Sequence, residues 1–150
     1  MNADLKIVAA GTADVDSIAP LFDGYRQFYK EVSDLESCRR FLLERLTRGE
    51  SVVFMAQLNG LAVGFTQLYP SFSSISIKPL WVLNDLFVAP GERTHGVGSA
   101  LLERARQHAL ATGARGLTLA TAIDNLTAQR VYEKLGWKRD TAYYHYGLTV

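Results

Sequence analysis

Hydrophobic and polar positions change period several times along this chain, and each change predicts an element. Leu5–Ala10 alternates weakly and reads as a first strand. Val15, Ile18, Phe22, Tyr25 and Tyr29 then recur at helical spacing, with Thr12 or Asp14 placed to cap the first turn. That helix closes on a dense aromatic run, Tyr25-Arg26-Gln27-Phe28-Tyr29. Ser33-Asp34-Leu35-Glu36 has the form of a capping box. It predicts a second helix from near Asp34 to Gly49, with Leu35, Cys38, Phe41, Leu42 and Leu46 on its apolar face. Val52–Leu58 and Leu61–Tyr69 are strand-like. Between them Asn59-Gly60 supplies two residues that tolerate the positive φ of a type I′ hairpin turn. Ser71–Pro79 is serine-rich and reads either as a flexible loop or as the frayed end of that strand.

Trp81–Val88 is the next strand, stopped by Pro90-Gly91. A helix follows over Val97–Thr112, with Val97, Leu101, Ala105 and Ala109 on one face and Gly113 at its end. Gly116–Ala122 is a continuous apolar run, as in a strand buried on both faces. Asp124 or Asn125 caps a helix that ends at Gly136. Trp137–Asp140 and Tyr143–Val150 are expected to supply one or two closing strands. The order β-α-α-β-β-β-α-β-α, closed by those strands, predicts an α/β sandwich with a mixed sheet. No repeat, low-complexity tract or linker interrupts it, so residues 1–150 read as one domain.

Composition narrows the function more than the fold. A 150-residue chain that is 48% hydrophobic can bury one substantial core. Its 16 basic and 15 acidic side chains leave a formal charge of +1, which gives no footprint for nucleic acid or an anionic membrane. No apolar run approaches the roughly 20 residues that span a bilayer. The N-terminus lacks a basic stretch followed by an apolar one, so no signal peptide is expected and the compartment reads as cytoplasmic. One cysteine, Cys38, excludes an internal disulfide and a multi-cysteine metal site, and its helical position reads as core packing. His95, His108 and His145 show no metal spacing, so no metal is expected.

The chemistry concentrates in Asn84–Ala105. A strand, a glycine-bearing turn and a helix present unpaired backbone N–H groups to an anion, and the helix dipole adds roughly half a positive charge there. Gly96 and Gly98 lack a Cβ, so a phosphate can approach closely. No Gly-Lys-Ser/Thr follows and no third glycine completes a dinucleotide fingerprint. What remains is V-x-P-x-x-R-x-x-G-x-G at Val88, Pro90, Arg93, Gly96 and Gly98. This pattern resembles the acetyl-CoA-binding motif of the GNAT superfamily of N-acyltransferases. A second stretch, N-L-T-A-Q-R-V-Y, resembles the family's N-x-x-A-x-x-x-Y at Asn125, Ala128 and Tyr132. The element order matches the family over nearly the whole chain. The resemblance implies a mixed, mostly antiparallel sheet of six to seven strands flanked by about four helices.

The same resemblance implies the site. Arg93, Thr94, His95, Gly96, Val97, Gly98 and Ser99 form the pyrophosphate cradle. The backbone of Leu86, Phe87 and Val88 faces the pantetheine and the thioester carbonyl, Asn125 contacts the pantetheine arm, and Tyr132 protonates the departing thiolate.

Acetyl transfer to an amine sets three demands of its own. An alkyl ammonium has a pKa around 10.4, so exposing its lone pair at pH 7 costs roughly 4–5 kcal/mol. The thioester carbonyl needs a donor where negative charge develops. The thiolate leaves more easily when protonated. The N-D-L-F-V segment resembles polyamine acetyltransferases, which carry two acids where this chain has Asn84 and Asp85. On a regular strand these two point to opposite faces, so only one faces a given site. Asp85 reads either as the base, acting through water, or as the partner of the substrate ammonium; a strand-end aspartate bonded to a loop is the plain alternative.

In this superfamily the first two helices and the middle hairpin build the acceptor site, here Tyr25, Phe28, Tyr29, Glu31, Tyr69 and Trp81, with Asn84 beside Asp85. Aromatics beside Glu31 and Asp85 suit a cationic amine. The leading expectation is therefore an acetyl-CoA-dependent N-acetyltransferase acting on a small primary amine such as a polyamine or an amino acid. A protein lysine or N-terminal acetyltransferase and an inactive CoA-binding module are the alternatives. The β-prone end Tyr143–Val150 is expected at a sheet edge that needs covering, which predicts a homodimer.

Overall fold

Asn59 and Gly60 take φ of 51° and 84°, and Leu58 pairs with Leu61 across them. This is the two-residue hairpin turn that their tolerance of positive φ predicts. The computed structural model describes residues 4–93 and 95–150. The elements are β1 (Leu5–Ala9), a 3₁₀ turn (Thr12–Asp14), α1 (Val15–Phe28), α2 (Leu35–Thr47), β2 (Val52–Leu58), β3 (Leu61–Ser73), β4 (Lys78–Val88), α3 (Val97–Ala111), β5 (Leu117–Thr118) and α4 (Leu126–Lys134). They divide into two units, Met1–Leu119 and Ala120–Val150.

The first unit holds a five-stranded sheet in the order β1-β2-β3-β4-β5. Its first three pairings are antiparallel and the last is parallel. The expected six or seven strands are thus five among the described residues. Gly116–Ala122 shrinks to Leu117–Thr118, because pairing with β4 stops at Val82↔Thr118. Ser71–Pro79 is neither loop nor frayed end: Phe72 pairs with Pro79 and Ser73 with Lys78, so it is the tip of a long hairpin. Trp137–Asp140 and Tyr143–Val150 form no strand, and the unit they belong to has no strand among its described residues. β-prone side chains make a strand only where an edge pairs with them.

Adjacent residues of β3 show how the helices flank the sheet. Phe65 meets the rings of Phe22 and Tyr25 on α1, each with centroids 6.1 Å apart. A Cβ on neighbouring Gly64 would instead lie 3.1 Å from Val97 Cγ1 and 3.4 Å from Leu101 Cδ1, so α3 covers the opposite face. The α1–α2 side buries Ile18, Phe22, Leu42, Met55 and Phe65 as one cluster, with Cys38 packed among them as its helical position predicts. Truncating Phe65 to alanine there costs about 3–5 kcal/mol.

The start of α2 is set by competition for two side chains. Asp34 accepts the Ser37 N–H at 3.1 Å and so is the cap. Ser33 donates instead to Asp23 of α1 at 2.7 Å, and the Asp34 N–H reaches Asp23 at 2.8 Å. The α1–α2 connection is therefore pinned to α1. In the second unit, Asn125 caps α4 by accepting the Ala128 N–H at 3.4 Å. Gly136 closes that helix at φ 95°, with the Trp137 N–H donating to the Tyr132 carbonyl at 3.0 Å.

Candidate active site

At one point β4 carries a residue more than β3. Gln67 pairs with Asp85 and Leu68 with Leu83, which leaves Asn84 out of register. A bulge of this kind bends a strand and re-aims its side chains. Strict alternation would put Trp81, Leu83 and Asp85 on one face. With Asn84 inserted, Asp85 turns toward α1 and Trp81 toward α3. Trp81 lies against His108 with centroids 4.8 Å apart and donates to Thr112 Oγ1 at 2.9 Å. It therefore does not join the acceptor residues expected from the sequence. The bulge also overturns the expectation that Asn84 and Asp85 point apart, because Asn84 Nδ2 donates to Asp85 Oδ1 at 3.0 Å.

Asp85 is 4% exposed. Gln67 Nε2 donates to its Oδ2 at 2.7 Å, and the Tyr25 hydroxyl also hydrogen-bonds the carboxylate. That hydroxyl lies 3.1 Å from the Asn84 carbonyl as well. Burial pushes the Asp85 carboxyl above the usual carboxylate range, against the hydrogen bonds from Gln67, Asn84 and Tyr25. On the same face, burial and then the Asp85 charge push the Tyr69 phenol up to about 12, while Arg45 of α2 opposes them. Gln67 is fully buried, and its Oε1 has no hydrogen-bond partner among the described residues.

Around these acceptors stand aromatic rings. Tyr25 lies edge-on to Tyr29 at 5.1 Å and to Phe87 at 6.3 Å, and Tyr29 lies edge-on to Phe28 at 5.3 Å. Phe28 and Tyr29 reach solvent. A carboxylate and an amide oxygen at the inner end of an aromatic cluster suit an ammonium group, by charge and by cation–π attraction. Glu31 stands apart from this set, exposed and 3.9 Å from Arg26 Nη2.

The candidate cradle follows β4. Arg93 Nε donates to the Val88 carbonyl at 2.9 Å, and its guanidinium sits 5.7 Å from the Phe87 ring centre. His95 Nε2 lies 3.5 Å from the Glu92 carboxylate. Thr94 lies outside the described residues. Gly96 precedes α3 at φ 71°, a conformation that favours glycine, and caps the helix with no side chain. Val97 packs inward against Gly64, so only its amide faces the turn, with Ser99 two residues on. A Cβ on Gly98 would meet only Val88 Cγ2, at 3.9 Å. The fold does not itself require glycine there, and the bare backbone leaves the room that a phosphate needs. These residues fit a CoA pyrophosphate. Leu86, Phe87 and Val88 lie past the end of the β4–β5 pairing, which covers Trp81 and Val82.

In the second unit, Asn125 spends its side-chain oxygen on the α4 cap. Tyr132 lies two turns on, with its ring 6.1 Å from that of Trp137. Among the described residues there is no group of three His, Cys, Asp or Glu side chains that could hold a metal ion. Nor is any of their helices long and apolar enough to cross a membrane.

Gln67 belongs to this candidate site although the sequence pattern does not single it out. Its signal was a Thr66-Gln67 pair inside an otherwise apolar strand. Polar side chains fully buried at such positions need partners, and here the partner of Gln67 is Asp85.

The profile of the acetyltransferase (GNAT) family matches residues 18–137. The chain is 48% identical over 146 residues to a Bacillus subtilis (strain 168) protein described as the uncharacterised N-acetyltransferase YhfO, covering 97% of this chain and 98% of that one. It is 26% identical over 148 residues to the D-amino-acid N-acetyltransferase HPA3 of Saccharomyces cerevisiae, covering 96% of this chain and 91% of that one. A solved structure of a probable acetyltransferase is similar throughout, with a TM-score of 0.92, 44% identity and 97% of each chain covered. The chain belongs to the GNAT acetyltransferase family. It is an acetyl-CoA-dependent N-acetyltransferase.

Proposed function

We propose that this enzyme moves the acetyl group of acetyl-CoA directly to a primary amine of a small molecule. The observation that carries the reading is the buried Asp85 carboxylate, held by Gln67 and Asn84 and backed by the Tyr25, Tyr29 and Phe87 rings. An isolated acceptor group enclosed by aromatics suits one compact amine better than a peptide backbone. The yeast relative that acts on D-amino acids supports a small amino-bearing acceptor.

Acetyl-CoA supplies an acyl carbon already activated as a thioester. The chain's own residues do the rest. The turn Arg93–Ser99 binds the pyrophosphate through backbone N–H groups, which fixes the reactive end relative to β4. Backbone N–H groups of Leu86–Val88 stabilise charge developing on the carbonyl oxygen. Asp85 accepts the amine's proton, and its burial raises its affinity for that proton. Tyr132 gives its phenolic proton to the departing sulfur and regains one from solvent, while the second proton shed by the nitrogen as the amide forms passes to solvent.

A panel of polyamines, amino acids, an aminoglycoside and a lysine peptide, each incubated with acetyl-CoA and scored by mass, tests the reading. Acetylation confined to small amines supports it; acetylation of the peptide alone overturns it. We also propose that the enzyme is a homodimer, with Tyr144, Tyr146, Leu148 and Val150 in the interface. These residues alternate along the chain end and are exposed, Tyr146 at 94%. Sedimentation that shows only a 16.6 kDa species at micromolar concentration contradicts it.

A further inference from the structure

Asp85 is buried and enclosed by Gln67, Asn84 and the sheet, so an ammonium group outside needs a carrier to reach it. Tyr25 is placed to be that carrier. Its ring belongs to the chain of aromatics that runs from solvent-exposed Phe28 and Tyr29 inward. At the inner end its hydroxyl finds two acceptors, the Asn84 carbonyl at 3.1 Å and the Asp85 carboxylate. A phenol has one proton to give and lone pairs to receive another. We propose that the Tyr25 hydroxyl is the proton relay between the acceptor ammonium and the Asp85 carboxylate. This rests on the amine-acetylation reading above.

The step balances without any redox change. One N–H bond of the ammonium breaks and its proton joins the Tyr25 oxygen. The Tyr25 O–H bond breaks as its own proton passes to an Asp85 oxygen. The products are a neutral amine with a free lone pair, an unchanged phenol and a carboxylic acid. After transfer Asp85 returns the proton by the same path to solvent. The titratable groups facing Asp85 are Tyr25 from α1 and Tyr69 from β3, with Arg45 of α2 acting on Tyr69. His108 of α3 packs with Trp81 on the other face of the sheet.

Tyr25→Phe removes the relay and keeps the ring. With benzylamine as acceptor and saturating acetyl-CoA, the variant's kcat/KM falls about a hundredfold at pH 7. By about pH 11, where an alkyl amine is largely neutral unaided, the deficit shrinks to within about threefold. A loss below threefold at pH 7, or an equal loss at every pH, overturns the relay. Wild-type inactivity on benzylamine and every other amine tried overturns the acetylation reading first, and the relay with it. A second readout needs no turnover: the carboxyl stretch of Asp85 in the infrared, assigned by its absence in Asp85→Asn. In Tyr25→Phe its titration moves to higher pH, because the ionised carboxylate has lost a hydrogen bond. An unmoved titration shows that the hydroxyl does not serve the carboxylate, and also overturns the proposal.

Discussion

Gln67 Nε2 and Asp85 Oδ2 lie 2.7 Å apart, in the last register pair before β4 bulges at Asn84. Hydrogen bonds to a buried charge are among the stronger ones, so this bond favours the ionised form of Asp85 against the burial that disfavours it. Burial already raises the folded-state affinity of Asp85 for its proton. A group of that kind contributes stability at acid pH that is lost as pH rises from its unfolded pKa through its folded one. Gln67→Leu raises the folded value further. Its melting temperature should match wild type near pH 4 and fall below it by pH 8, with the acid limb of kcat/KM moved to higher pH. Thermal melts across that range check the first part, and a pH–rate profile the second.

Gly98→Glu puts a charged side chain where the bare backbone leaves room. A Cβ there meets only Val88 at 3.9 Å, so the variant folds. It should lose the rise in melting temperature that acetyl-CoA gives the wild type. A wild-type shift in this variant would remove the pyrophosphate from the Arg93–Ser99 turn.

Lys30 ends α1 at φ 67°, where a side chain is strained. Its N–H closes the helix on the Gln27 carbonyl at 2.9 Å, and the Glu31 N–H reaches the Arg26 carbonyl at 3.0 Å. Lys30→Gly relieves the strain and keeps both bonds. Denaturant unfolding should show a gain of about 0.5–1 kcal/mol.

Tyr132→Phe removes one hydroxyl and keeps the ring against Trp137. Loss of a general acid costs roughly a hundred- to ten-thousandfold in rate, with acetyl-CoA binding unchanged. A kcat within about threefold of wild type, normalised to folded protein, would show that the thiolate leaves without it.

Local signals made much of this legible in the sequence. Asn59-Gly60 fixed its hairpin, and Pro90-Gly91 and Gly96 marked the turn from β4 into α3, because turn chemistry depends on a few adjacent residues. The sequence hid whatever depends on pairing. Trp81 and Asp85 look like neighbours on one face until the bulge at Asn84 separates them. Gln67 becomes meaningful only when β3 lies beside β4. Tyr143–Val150 has strand-forming residues but no described strand in its own unit to pair with.

Release of free CoA thiol, measured with and without a small amine alongside the mass of the product, tests acetyl transfer to an amine most directly. Release that depends on the amine and matches an N-acetylated product one for one is the predicted result. Acetyl-CoA that binds without amine-dependent release would contradict it, as would thiol release that leaves every amine unmodified.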